Sequence, residues 1–214
     1  MTGNMSRLKP LERWSATAFL IAGAFFIGFV VRNGIIAFGD GFSETMTVAL
    51  YVVFIVPAEV AAYIGLLGLY PRLSDHAARL TGAGAVFITI AGVAIIGVGG
   101  GVGSALLAAG APEPPAIAQL LLPVALLTTI VGFVLFGVAS LRTRIPSRMA
   151  GFLLLVPPTT YILMMAGMIV GYTSEWSTVA LSTVQAGAHL AIGFVLRSGG
   201  VPADRAEPAS DSAA

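Results

Sequence analysis

Residues 44–70 read ETMTVALYVVFIVPAEVAAYIGLLGLY. A single ionisable residue, Glu59, interrupts the apolar run that starts at Thr45. At about 1.5 Å per residue a helix of this length exceeds the roughly 30 Å of bilayer hydrocarbon. Nothing in it alternates with the period of two that marks a half-buried strand. The stretch therefore predicts a transmembrane helix, from about Glu44 to Tyr70, stopped by Pro71.

Five further stretches of the same kind flank it. They predict helices over about Trp14–Phe38, Leu80–Ala109, Ile117–Leu141, Met149–Tyr172 and Ser177–Leu196. The third is longer than a bilayer needs, and its second half carries Gly97, Gly99, Gly100, Gly101 and Gly103. Each interior glycine costs a helix about 1 kcal/mol against alanine, so fraying is expected around Gly99–Gly103. Ala111-Pro112-Glu113-Pro114-Pro115 reads as a loop. The expected architecture is an all-α integral membrane protein with six transmembrane helices.

The connections alternate in charge. Arg7, Lys9 and Arg13 precede the first helix; Arg72 and Arg79 follow the second. Arg142, Arg144 and Arg148 follow the fourth, and Arg197 and Arg205 follow the sixth. The other three connections hold only Asp40, Glu44, Glu113 and Glu175 as charged residues. Cytoplasmic loops are enriched in Lys and Arg, so both termini are expected in the cytoplasm. The organisation is then a cytoplasmic tail over 1–13, a six-helix domain over 14–196 and a disordered cytoplasmic tail over 197–214. The first stretch exceeds the 7–15 residues usual for the core of a signal peptide, so it reads as a retained helix. The location expected is the plasma membrane.

Composition agrees. The chain has 214 residues, 57% hydrophobic and 10% charged, with mean hydropathy +0.94. Soluble domains carry about 25% charged residues. Cysteine is absent, which excludes disulfides, thiolate metal sites and cysteine nucleophiles. The lone Lys9 lies in a tail, so no membrane lysine is present for a retinal Schiff base. The two histidines, His76 and His189, lie at incompatible depths for bis-histidine haem. No His-Glu-x-x-His motif or phosphate loop is present. No cofactor, no metal, no catalytic residue and no nucleic-acid partner is expected. The expected partners are the lipid bilayer and other membrane proteins or further copies of the chain.

The bias toward Ala, Gly, Val and Arg, with the phrase Gly68-Leu69-Tyr70-Pro71-Arg72-Leu73, resembles small uncharacterised multi-pass membrane proteins of halophilic archaea. The resemblance implies a membrane fold and no activity. Gly68, Arg79 and Gly82 recur as Gly137, Arg148 and Gly151 at a constant offset of 69. That spacing fits a parallel duplication, and equally two cytoplasmic hairpins with the same local demands.

Four polar residues in apolar surroundings form the candidate intramembrane site: Arg32, Glu59, Gln185 and His189. An ionisable group at the bilayer centre costs about 2.5–3.5 kcal/mol or more and usually faces the bundle interior or a wet cavity. Side chains lean toward their helix N-terminus, so Arg32 and Glu59 lean toward each other and an ion pair is expected. Gln185 and His189 are four apart and share a face. Pro57, Pro157 and Pro158 are the candidate helix kinks, with Thr128, Thr129, Thr159 and Thr160 as hydroxyls for the freed carbonyls.

These features are compatible with two functions. The reading placed first is a non-catalytic accessory or scaffold protein whose polar groups only specify helix packing. The alternative is a small transporter or channel-like protein with proton or cation coupling at Glu59, near Arg32, Gln185 and His189. An intramembrane enzyme comes third.

Overall fold

The computed structural model describes residues 9–39, 41–97, 101, 116–172 and 174–198. It is all helical, with no strand among the described residues. The helices are α1 (Lys9–Phe38), α2 (Glu44–Ile95), α3 (Ala116–Thr143), α4 (Arg148–Leu154), α5 (Val156–Ile169) and α6 (Glu175–Ser198). Five stretches are long and apolar enough to cross a membrane: Trp14–Phe38, Thr45–Ile95, Leu121–Thr143, Arg148–Ile169 and Glu175–Ser198.

Helix α2 departs most from expectation. Pro71 does not stop it; the backbone stays helical through Pro57 and Pro71. The one departure from helical dihedrals is at Ala77, with φ −142° and ψ 46°. A straight helix would hold Tyr63 and Gly92 about 44 Å apart. Yet a Cβ built on Gly92 would sit 3.6 Å from Tyr63 Cδ2. The chain therefore doubles back at Ala77, and limbs 44–76 and 78–95 pack side by side. The Thr81 hydroxyl caps this bend by donating to the Ala77 carbonyl at 2.9 Å. Proline is tolerated at residue 71 because it sits beside the bend, where the helix is ending as a straight rod.

Helix α1 begins at Lys9, five residues ahead of the expected start at Trp14. Proline suits the first helical turn, whose amides lack partners inside the helix, and Pro10 occupies that turn. The expected fifth helix is two pieces joined at Leu155, with proline at the opening of α5. The Ser147 hydroxyl caps α4 by accepting from the Ala150 amide at 3.1 Å. The turn before it places Arg144 in the left-handed region, φ 62°, and ties Ser140 Oγ to the Ile145 carbonyl at 2.7 Å. Gly171 at φ +69° closes α5 and lets the Tyr172 amide reach the Gly167 carbonyl at 2.9 Å. Most of the expected fraying segment, the Ala111–Pro115 loop, residues 1–8 and the tail from 199 onward lie outside the described residues.

Small residues form the seams between helices. Gly23 of α1 lies against Leu190 of α6, and Gly193 of α6 against Leu20 of α1. Gly28 receives Phe54, and Gly65 receives Phe19, which join α1 to limb 44–76. Gly84 meets Phe136, and Gly132 meets Ile88, which join limb 78–95 to α3. Gly137 of α3 takes Leu155 at the α4–α5 junction. Contacts of α6 with α4 and α5 close the ring. The core so enclosed includes Phe19, Leu66, Leu69, Ile88, Phe133 and Phe136, each 1% exposed or less. Outward faces are also apolar, with Ile27, Val53, Ile64, Val86, Leu127 and Phe194 exposed.

The two ends of the bundle differ. Ser15, Leu69, Arg72, Leu196 and Arg197 border one recess, so the first turns of α1, the bend of α2 and the end of α6 share an end. Chain direction places Arg142, Arg144 and Arg148 there as well. At the other end Phe38 and Trp176 stack edge to face, with centroids 4.4 Å apart.

Candidate functional site

Glu59 lies midway along limb 44–76 and is 5% exposed. The Tyr161 hydroxyl donates to its Oε1. The same hydroxyl accepts from Gln185 Nε2. Helices α2, α5 and α6 are thus joined through one phenol oxygen, which uses its single proton on the carboxylate. Because α5 restarts at Val156, its register is independent of α4. Pro157, Pro158 and Thr160 are buried, while Ile162 and Leu163 are exposed.

A second phenol stands one helical turn from Glu59. Tyr63 is hydrogen bonded to Thr129 Oγ1 of α3 at 2.6 Å. Thr129 spends its own proton on the Ala125 carbonyl at 2.7 Å, so Tyr63 is the donor. Although Tyr63 lies close to the carboxylate, its proton goes to α3. Glu59 Oε2 is left buried with no hydrogen-bond partner. Buried polar atoms nearly always have partners, and Glu59 Oε2 shares this departure with Arg32 Nε and His189 Nε2.

Glu59 borders a cavity of about 170 Å³. Glu59, Tyr161 and Gln185 contribute its polar part, and Phe26, Phe29, Tyr51 and Met165 contribute walls. Its rim includes Leu122, 41% exposed, and Met168, 60% exposed, so it reaches the bundle surface. Tyr51 and Ile55 come before Glu59 on a limb that starts at the arginine-free end. Met168 lies near the end of α5 and Leu122 near the start of α3. The cavity therefore extends from Glu59 toward the end opposite the arginine-bearing loops, where Arg32 lies over Phe29, one of its wall residues.

The four polar residues singled out in the sequence separate into three settings. Glu59 and Gln185 meet, through Tyr161. Arg32 does not pair with Glu59: its Nη1 donates to Asn33 Oδ1 at 2.7 Å, and its guanidinium carbon lies 5.4 Å from the Phe29 ring centroid. Asn33 in turn donates to Ser182 Oγ of α6 at 3.3 Å. A neighbouring amide and an aromatic face hold the Arg32 guanidinium locally, its Nε stays buried without a partner, and the expected ion pair with Glu59 does not form. His189 sits apart from the cavity. Its Nδ1 bonds the Gln185 carbonyl at 2.8 Å, and Phe26, Phe133 and Phe19 surround it at 4.7, 5.9 and 6.1 Å between centroids.

The hydroxyls act close to home. Thr159 donates to the Leu155 carbonyl and Thr160 to the Pro157 carbonyl, both at 2.7 Å. Thr128 donates to Val124 at 2.6 Å within α3. Sequence reading missed Tyr161, Tyr63 and Tyr51. The signal for Tyr63 was present, since it lies four residues after Glu59 and so on the same face.

No group of three or more His, Asp or Glu side chains among the described residues is placed to hold a metal ion. What the arrangement offers is one carboxyl oxygen, free and desolvated, at the end of an apolar cavity. No family model, curated protein or solved structure matches the chain.

Proposed function

We propose that the protein is a six-crossing plasma-membrane protein that takes up a proton or cation at Glu59, as a small transporter or channel-like protein. Both termini are cytoplasmic in this reading. The two limbs of α2 count as separate crossings: limb 78–95 alone spans about 27 Å, close to the hydrocarbon thickness. One-sided arginines support the orientation.

The observation that carries the function is Glu59, whose Oε2 is buried and unpartnered and which lines a cavity that reaches the bundle surface. A carboxyl that served only helix packing would be expected to use both oxygens on neighbouring helices. Burying a bare carboxylate is costly, so its charge must be met by a proton or a cation. Arg32 and His189 make no bond to it, although each keeps one buried nitrogen without a partner.

The accessory or scaffold reading draws support from a different feature, the glycine seams and the phenylalanine cage of His189, which specify packing without a ligand. Reconstitution into liposomes separates the two. Glu59→Gln should fold normally and lose pH- or ion-dependent flux by at least about tenfold, the loss of one charge-assisted contact worth about 1.5–3 kcal/mol. A scaffold would give no flux in the parent protein. Glu59→Gln would then be silent, while Glu59→Leu would lower stability.

A further inference from the structure

We propose that the ligand of this cavity is a small apolar monocation, an ammonium group on a body about the size of one aromatic ring, which exchanges with a proton at Glu59. This rests on the reading of Glu59 as a proton or cation site and names the class of cation.

Size sets the first limit. A dry cavity of about 150 Å³ accommodates one benzene, and this one is about 170 Å³. Charge sets the second. The free oxygen belongs to a carboxyl with no cationic side chain bonded to it, so an anionic ligand would be repelled and a neutral one could at most donate a hydrogen bond without balancing a carboxylate charge.

The walls set the third. Phe26, Phe29 and Tyr51 present rings, and Met164, Met165 and Met168 present polarisable thioethers. Aromatic faces attract organic cations when both are desolvated, and thioethers adapt to irregular apolar shapes. A hydrated metal ion has the opposite needs. Calcium takes 6–8 oxygen ligands and magnesium keeps an octahedral shell. Most of the other lining oxygens are already committed: Tyr161 to Glu59 and Gln185, Tyr63 and Thr129 to each other, and Ser182 to the Thr178 carbonyl at 2.8 Å. The side-chain oxygens of Tyr51 and Gln185 that remain are too few for either shell. One carboxylate balances the charge of an ammonium, and Gln185 and Tyr51 bring further polar side chains to the same cavity for its remaining N–H groups.

Exchange follows from charge balance. As the ammonium enters, the O–H bond of the Glu59 carboxyl breaks and its proton leaves to bulk water. No covalent bond forms to the ligand. The titratable or charged groups around Glu59 are Tyr63 on its own helix, Tyr51 earlier on that helix, Tyr161 from α5, His189 from α6 and Arg32 from α1. Helix α3 lines the cavity with Leu122, Ala125, Leu126 and Thr129, and limb 78–95 with Ile95, so neither adds a charge.

The test is calorimetric titration of the full chain in lipid nanodiscs, in buffers of differing ionisation enthalpy. Three probes are compared: benzylammonium, the uncharged benzyl alcohol and sodium ion. Benzylammonium should bind with release of about one proton per cation, and its affinity should fall as pH is lowered. Benzyl alcohol should bind at least about tenfold more weakly, for want of a charge-assisted contact. Glu59→Gln should abolish both the proton release and the preference for the cation. A larger side chain in the cavity, Met165→Trp, should weaken benzylammonium while leaving the carboxyl in place. Equal binding of benzyl alcohol and benzylammonium, without proton release, would overturn the proposal. Proton release driven by sodium but not by benzylammonium would overturn the ligand class and leave the coupling at Glu59 standing. Absence of Glu59-dependent proton release with every probe would overturn both. The comparison of probes on the parent protein does not depend on any variant folding.

Discussion

The phenol oxygen of Tyr161 joins three helices, because it donates to Glu59 and accepts from Gln185 at once. Tyr161→Phe should lower the unfolding free energy by about 1–2 kcal/mol, since it removes two hydrogen bonds and leaves Oε1 and Nε2 unsatisfied. Groups in one network couple, so Tyr161→Phe and Gln185→Leu should be non-additive by about 0.5–1 kcal/mol. Steric-trap unfolding in bicelles measures both, and strictly additive losses would contradict the shared oxygen. At this scale Glu59 and Gln185 were legible in the sequence because polarity in an apolar run needs a reason. Tyr161 was not, because tyrosine is tolerated in many membrane positions and its inward direction depends on where α5 restarts. Arg32 was misread for a related reason. The lean of a side chain along its helix was used, but the adjacent Asn33 offered a nearer acceptor.

At the scale of elements, hydropathy located the apolar stretches, but the way α2 bends was hidden. Proline is the usual stop signal, and Pro71 suggested one. The chain instead turns at Ala77, and alanine carries no local signature of a bend. The offset of 69 illustrates the same limit. Gly151 packs against Leu141 and beside Gly137, whereas a Cβ on Gly82 would meet nothing within 4 Å. The matched positions do not share a packing role, and one hairpin is a near-continuous helix while the other has a capped loop. This contrast predicts opposite outcomes for the same substitution. A Cβ on Gly193 would meet Leu20 Cγ at 2.7 Å and the Ala16 carbonyl oxygen at 3.0 Å. Gly193→Ala should therefore destabilise by about 1–3 kcal/mol through overpacking of the α1–α6 seam. Gly82→Ala should be neutral or stabilising by up to about 1 kcal/mol through helix propensity. Thermal unfolding in detergent distinguishes the two, and a comparable loss at Gly82 would contradict the assigned seams.

For the whole molecule, one end carries arginines and the other carries Glu44, Glu175 and the stacked Phe38–Trp176 pair. Trp14 and Trp176 are both 61% exposed at opposite ends of the apolar surface, where interfacial aromatics belong. The proposed orientation, with the arginine-bearing end in the cytoplasm, rests on this asymmetry. An impermeant thiol reagent outside the cell should label Ala111→Cys and spare Ser147→Cys, and the reverse pattern would invert the topology. The cavity extends from Glu59 toward the end opposite the arginine-bearing loops, which is the outside in the proposed orientation. In the proposed function Glu59 is a carboxyl in exchange with water at the cavity mouth, not a sealed structural contact. Infrared difference spectroscopy of the protein in lipid, with Glu59→Gln as the reference, reads this directly through the carboxylic acid carbonyl band. The account predicts a Glu59 band that shifts on transfer to deuterated water and bleaches reversibly as external pH is raised. A band that neither exchanges nor responds from acid to alkaline pH would contradict it.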